Sequence, residues 1–247
     1  MKQNEAVILT LEKLGGVATL GQLNQEVFKI TECEWKTKTP FASIRRIVQL
    51  NKNIYKIKPG LYGLVKFKKY LESKGIIEET EKNKDSKEII EFNHSYFQGL
   101  LLTIGNLKGM KTFVPNQDKN RFMLNTKLED IRTLNKLPEY SYPHIVQRSS
   151  TIDVIWFNER EMPHSFFEVE HSTDIQNSLL KFNDLQDLYA RMFIVADIKR
   201  KTEYSNKVKY SSFKDLSKNN RVLFLDYEAL NKQYEYLIEQ QNFEFIL

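Results

Sequence analysis

The chain has 247 residues, 41% of them hydrophobic and 12% aromatic, with 37 Lys and Arg against 32 Asp and Glu for a net charge of +5. That is enough apolar material for one or two domains with real cores, and it argues against disorder. No run approaches the roughly 20 apolar residues of a membrane span, MKQNEAVILT lacks a signal peptide's apolar stretch and cleavage site, and the lone Cys33 excludes an intrachain disulfide framework. A cytoplasmic protein with no membrane partner is therefore expected. The four histidines, His94, His144, His164 and His171, show no paired ligand spacing, which argues against zinc.

Charge is unevenly distributed. Residues 1–70 hold 13 Lys and Arg against 5 Asp and Glu, a balance of +8, whereas the remainder holds 24 against 27. A small basic module joined to a slightly acidic one suggests that the first binds a polyanion. Within it, Val7, Ile8, Leu11 and Leu14 have the spacing of a helix ended by Gly15-Gly16. Thr19 precedes a second helix over Leu20–Ile30, and Thr39-Pro40 opens a third, FASIRRIVQLN, with Thr as cap and Pro at its first position. IYKI and LYGL flank Lys58-Pro59-Gly60, which makes a hairpin.

Three helices and a hairpin read as a winged helix-turn-helix, whose third helix normally lies in the major groove. Arg45, Arg46 and Gln49 lie on the polar side of that helix, suited to phosphates or base edges, and Lys56 and Lys58 put charge on the wing. With Trp35 and the closing GLYGL, residues 4–65 resemble the HARE type of winged helix. The alternative for such a module is protein contact.

A domain boundary is expected next. Glu79–Glu88 has seven charged residues in ten and nothing to bury. The expected division is a winged-helix domain over 1–68, a charged linker over 69–90 and a second domain over 91–247. Phe92–Leu107 resumes helical spacing, with His94 and Gln98 one turn apart, either turned toward a site or simply packed. Lys111–Pro115 reads as a strand, Asn116–Tyr142 stays unassigned, and His144–Gln147 reads as a strand or a lead-in to Asp153.

Thr151–Asp174, TIDVIWFNEREMPHSFFEVEHSTD, carries the chemistry. Two β-branched and aromatic runs, Ile152–Phe157 and Ser165–Val169, flank a turn-like segment. Asp153 interrupts the first; Glu168 and Glu170, two apart, project to one face of the second. Carboxylates in such apolar strands are costly unless a cation compensates them, and Mg²⁺ is the natural compensator; solvated residues on a wet strand face are the plain alternative. Ser172 or Thr173 then caps a helix to about Tyr189. Arg191–Ile198 and Arg221–Leu225 read as strands, and Tyr227–Gln240 as a helix. Between those strands Lys199, Arg200, Lys201, Lys207 and Lys209 form a basic cluster, either a solvated loop or a set of DNA-backbone contacts. Interleaved strands and helices imply an α/β domain with a mixed sheet, α+β for the chain overall.

Asp153, a Glu-Val-Glu that begins fifteen positions later and a following helix resemble the active site of the PD-(D/E)xK nucleases, of the restriction-endonuclease-like kind. That resemblance implies a Mg²⁺-dependent endodeoxyribonuclease acting on double-stranded DNA. Asp153, Glu168 and the Val169 carbonyl would hold the metal. Glu170, where the family usually has Lys, would take a second metal or orient the attacking water. Lys181, on the next helix, would reach back to the phosphate as an auxiliary group. Ile152 stands where the family has Pro. Recognition sequence, the role of base modification and oligomeric state stay open, a homodimer included. The alternative from another class is a non-catalytic DNA-binding regulator with a degenerate nuclease fold.

Overall fold

Gly15 and Gly16 both take positive φ (83° and 88°), so the first helix, α1 (Gln3–Lys13), ends where the left-handed pair turns the chain back. A Cβ at Gly16 would meet the Phe67 ring at 2.4 Å, so close packing as well as φ demands glycine there. The structure is a computed structural model and describes residues 1–244. By contacts the chain divides into two units, residues 1–92 with the stretch from Asn231 onward, and Asn93–Leu230.

In the first unit β1 (Val17–Thr19) leads into α2 (Leu20–Glu26), where Thr19 and Gln22 form a reciprocal capping box. Then come α3 (Pro40–Leu50), started by Pro40 with no side-chain cap from Thr39, β2 (Ile54–Lys58), β3 (Leu61–Leu64) and α4 (Lys68–Ser73). The strands form an antiparallel sheet in the order β1-β3-β2. Val7, Leu11, Leu23, Ile44, Val48 and Leu64 fill the core beneath it.

The second unit takes most of α5 (Lys87–Leu107), then β4 (Lys111–Phe113), β5 (Phe122–Met123), β6 (Thr126–Lys127), α6 (Leu128–Ile131), α7 (Pro143–Ser149), β7 (Val154–Phe157) and β8 (Pro163–Glu170). After these come α8 (Ile175–Asp184), β9 (Arg191–Ala196), α9 (Lys201–Lys207), α10 (Lys214–Ser217), β10 (Val222–Asp226) and the start of α11 (Tyr227–Glu244). The main sheet runs β10-β9-β8-β7-β4 and is mixed: β8, β9 and β10 are parallel, while β4-β7 and β7-β8 are antiparallel. The chain is thus α/β with mixed sheets. Phe166, Ile155, Ile194 and Phe157 share one buried cluster with Ile175, Leu179 and Phe182 of α8. On the opposite face Trp156 and Phe167 pack together, and the indole N–H donates to the Leu101 carbonyl of α5 at 3.0 Å. Among the described residues no helix is long and apolar enough to cross a membrane.

Several elements depart from the sequence expectation. Residues 143–149 are helix, not strand, because Pro143 starts a turn that Tyr142 enters from extended backbone. Helix α8 is capped by Asp174, whose side chain accepts from the Gln176 N–H, rather than by Ser172 or Thr173, and it stops at Asp184. The expected basic loop after β9 contains α9, whose Glu203 pairs with Lys207 and with Arg200 just ahead of the helix. By contacts, α11 from Asn231 on groups with residues 1–92. Tyr234 and Ile238 are buried there at 4% and 1% exposure, Tyr234 against Gly21 and 3.5 Å from the Thr19 hydroxyl.

Ile238→Ala should therefore destabilise the first unit by roughly 2–5 kcal/mol. Amide exchange should speed up in α2 and α3 but not in β8. Equal loss of protection in β8 would contradict the assignment of this segment.

Candidate active site

Strand pairing builds the site. Val154 stands across from Phe167 and Ile155 from Phe166. One step beyond the last pair, the same register sets Asp153 across from Glu168. Asp153 lies just ahead of β7, and its Oδ2 accepts the Val169 main-chain N–H at 2.7 Å, which locks the carboxylate over β8. Glu168 and Glu170 are 2% and 4% exposed, so they are buried rather than on a wet face.

Helix α8 closes over these acids. Its Lys181 ammonium lies 2.8 Å from Glu168 Oε2 and donates to the Thr151 carbonyl at 3.0 Å. Ser178, one turn earlier on the same face, reaches Glu168 Oε2 at 3.0 Å and also touches Glu170 Oε1; Thr173 donates to Glu170 Oε2. One serine hydroxyl has one hydrogen. It cannot donate to both acids, so the cluster is at ease only when a carboxyl carries a proton.

The electrostatics agree. Burial pushes Asp153 up to about 7, against the Val169 N–H and Lys181, which hold it down. Burial, then repulsion from Asp153, pushes Glu168 well above the usual carboxylate range, and burial also raises Glu170. Burial works to lower Lys181, but Glu168 and Asp153 more than offset it and its pKa rises. Lys181 is thus charged at neutral pH, while the facing acids resist full ionisation.

Beside Asp153 stands α5. His94 Nε2 is 3.3 Å from Asp153 Oδ2, and burial, then Arg121, lowers the imidazole to about 4, so it is neutral. Gln98, fully buried, donates to Asp118 Oδ2 at 3.1 Å and to the Asp153 carbonyl at 3.3 Å; Arg121 pairs with Asp118 at 3.1 Å. Asp118 and Arg121 come from the stretch the sequence left unassigned. Ser178 was also missed, although its spacing from Lys181, inside the apolar stripe of α8, was readable.

A cation fits this donor set. Glu168 Oε1 is buried with no hydrogen-bond partner, and an orphaned carboxylate oxygen in an apolar strand is costly unless something cationic meets it. Among the described residues no three His, Cys, Asp or Glu side chains form a ready-made metal cluster.

The residues expected to read DNA are placed unequally. Arg46, Gln49 and Lys56 are exposed. Arg45 is already paired, at 2.9 Å with Glu235 and 3.9 Å with Glu239 of α11. Lys58, expected to put charge on the wing, is instead buried, 6% exposed, its ammonium 4.4 Å from the centre of the Phe92 ring, and burial lowers its pKa to about 7. The irregular pairing between Lys56 and Lys58 opposite β3 explains the difference, because the shift turns Lys58 inward with Ile57.

Residues 76–246 match the family described as the Type II restriction enzyme NmeDI C-terminal domain, and the chain belongs to that family. The matched stretch contains Asp153, Glu168, Glu170 and Lys181. Among curated proteins, the Type II restriction enzyme NmeDI of Neisseria meningitidis serogroup C is 26% identical over 162 residues, which is 62% of this chain and 45% of that protein. The chain thus spans less than half the length of this relative. No solved structure matches it.

Stability should respond to this charge balance in two ways. A carboxyl whose folded pKa lies above its unfolded value of about 3.9 costs nothing below pH 4, where both states are protonated, and costs most above its folded pKa. Metal-free wild-type protein should therefore lose up to about 4 kcal/mol between pH 4 and 7 through Asp153. Asp153→Asn should flatten that part of the slope, and an unchanged slope would refute the shift. Lys181→Ala should cost roughly 3–5 kcal/mol at pH 8 by stranding the buried Glu168. Glu168→Ala should cost less, because Lys181, 25% exposed, can turn to water.

Proposed function

We propose that this chain is a divalent-metal-dependent endodeoxyribonuclease of the restriction type, with a winged-helix module that reads duplex DNA. The observation that carries the reading is the Asp153–Glu168–Lys181 constellation in a chain of a restriction-enzyme family. Asp153, Glu168 and the Val169 carbonyl would hold Mg²⁺. When bound, the ion polarises the scissile phosphate and lowers the pKa of water.

The chain's own residues do the rest. Lys181, anchored on the Thr151 carbonyl, presents a positive charge beside Glu168, where a phosphate oxygen is met as negative charge builds. It supplies the function that the lysine of the strand serves in PD-(D/E)xK enzymes, from one helix further along. Glu170 holds and orients the attacking water, its carboxylate steadied by Thr173 and Ser178. Its raised pKa suits it to take the proton of that water. In the first unit, Arg46, Gln49 and Lys56 are the exposed groups through which α3 and the wing would meet DNA.

The test is cleavage of supercoiled and linear duplex DNA, methylated and unmethylated, in Mg²⁺. Cleavage should stop with EDTA. Asp153→Ala and Glu168→Ala should each lower the rate at least about a hundredfold, as expected when several kcal/mol of charge stabilisation is lost. Lys181→Ala should lower it while leaving DNA binding intact, and Arg46→Ala should weaken binding in a salt-dependent way. Full cleavage by folded Asp153→Ala protein would overturn the assignment.

A further inference from the structure

Lys181 is not the only cation tied to the acids. Arg121, just ahead of β5, meets Asp118 Oδ1 through Nε at 3.1 Å. Asp118 Oδ2 accepts the Gln98 amide at 3.1 Å, and the same amide donates to the Asp153 carbonyl at 3.3 Å. Two side chains thus link the Arg121 guanidinium to the backbone of Asp153. Helix α8 covers the face of the main sheet that carries Phe166, whereas α5, which bears Gln98, covers the face that carries Trp156. Lys181 and Arg121 therefore approach the start of β7 and the end of β8 from opposite faces.

A simple ion pair between neighbours in a turn is the plain alternative. Its geometry argues otherwise. Arginine carries five N–H donors in a fixed fork, and a carboxylate is held best by two of them in parallel. Arg121 meets the buried Asp118 through Nε, and among the described residues its Nη groups make no hydrogen bond. The side chain is 42% exposed, so that unused end is open to a ligand from solution. Burial dominates the shifts of Asp153 and His94, but the Arg121 charge lowers both pKa values, so its field reaches the acids.

We infer that Arg121 is a phosphate-binding residue, whose Nη groups take the backbone phosphodiester next to the one attacked, on the strand being cut. Buried carboxylates repel a polyanion, and a strand laid from Lys181 to Arg121 meets a positive group on either side of them. Asp118 and Gln98 stand between the guanidinium and Asp153, which sets Arg121 beside the attacked phosphate rather than on it. A planar fork anchored at Nε suits two phosphate oxygens. Which phosphate it takes rests on the nuclease reading; that it takes one does not.

Binding is read first without cleavage, on the full chain in EDTA, with a labelled synthetic duplex at increasing salt and folding checked by circular dichroism. Arg121→Gln keeps an amide donor for Asp118 but removes the charge, so the slope of log affinity against log salt should fall by about 0.9. Across a fourfold rise in salt the wild type should then lose about 3.5-fold more affinity than the variant. Arg121→Lys should keep most of the slope, because it keeps the charge. Position is read by ethylation interference with cleavage in Mg²⁺, where the cut itself marks the attacked phosphate. In the wild type, ethylating a phosphate next to the cut should suppress cutting, and Arg121→Gln should lose that suppression. An unchanged salt slope in folded Arg121→Gln overturns the site, and so does interference lost only at phosphates away from the cut. Should Arg121→Gln fail to fold, the wild type still decides: no interference at either neighbour of the cut overturns the site. A fallen slope in a protein that never cuts overturns the nuclease reading and leaves the phosphate contact standing.

Discussion

Much of the second unit depends on how three buried carboxylates are tolerated beneath one helix. Isolated in an apolar strand pair, Asp153, Glu168 and Glu170 would each cost several kcal/mol when ionised. Lys181, Ser178, Thr173 and the Val169 N–H share that load, and every one is supplied by β8, the loop after it or α8. Helix α8 must therefore begin where Asp174 caps it, because a start one turn away would carry Ser178 and Lys181 off the acids. Burial makes the arrangement demanding: in water the same pairs would be worth little.

That compensation is incomplete. A purely structural salt bridge would satisfy its acceptors. Here Glu168 Oε1 is left over, one serine hydrogen faces two acids, and the carboxyl pKa values rise despite a lysine at 2.8 Å. The deficit is one of positive charge. Strained charge of this kind clusters at functional sites.

The first unit uses charge differently. Its basic excess was visible in composition, yet Arg45 is held by Glu235, and Lys58 is buried under Phe92. Both changes come from partners far along the chain or from a local irregularity in strand pairing. The surface offered to a polyanion is accordingly smaller than the count of basic residues implies.

What the sequence determined by itself was local. Glycine pairs, Thr-Pro and Pro-Gly punctuation and period-2 alternation placed α1, α3, the hairpin, β7 and β8 within a few residues, because those signals act over one turn or one strand. The spacing of Asp153, Glu168 and Glu170 was legible because strand alternation alone sets which acids share a face. Asp118 was not legible, since a polar stretch with two-residue strands has no period to read. Neither was the partner of Arg45, 190 residues away. Tertiary structure decided which lysine meets Glu168, which basic residues stay exposed, and that the C-terminal helix packs under the N-terminal helices. Each of these depends on burial and on pairs distant in sequence, which no local pattern encodes.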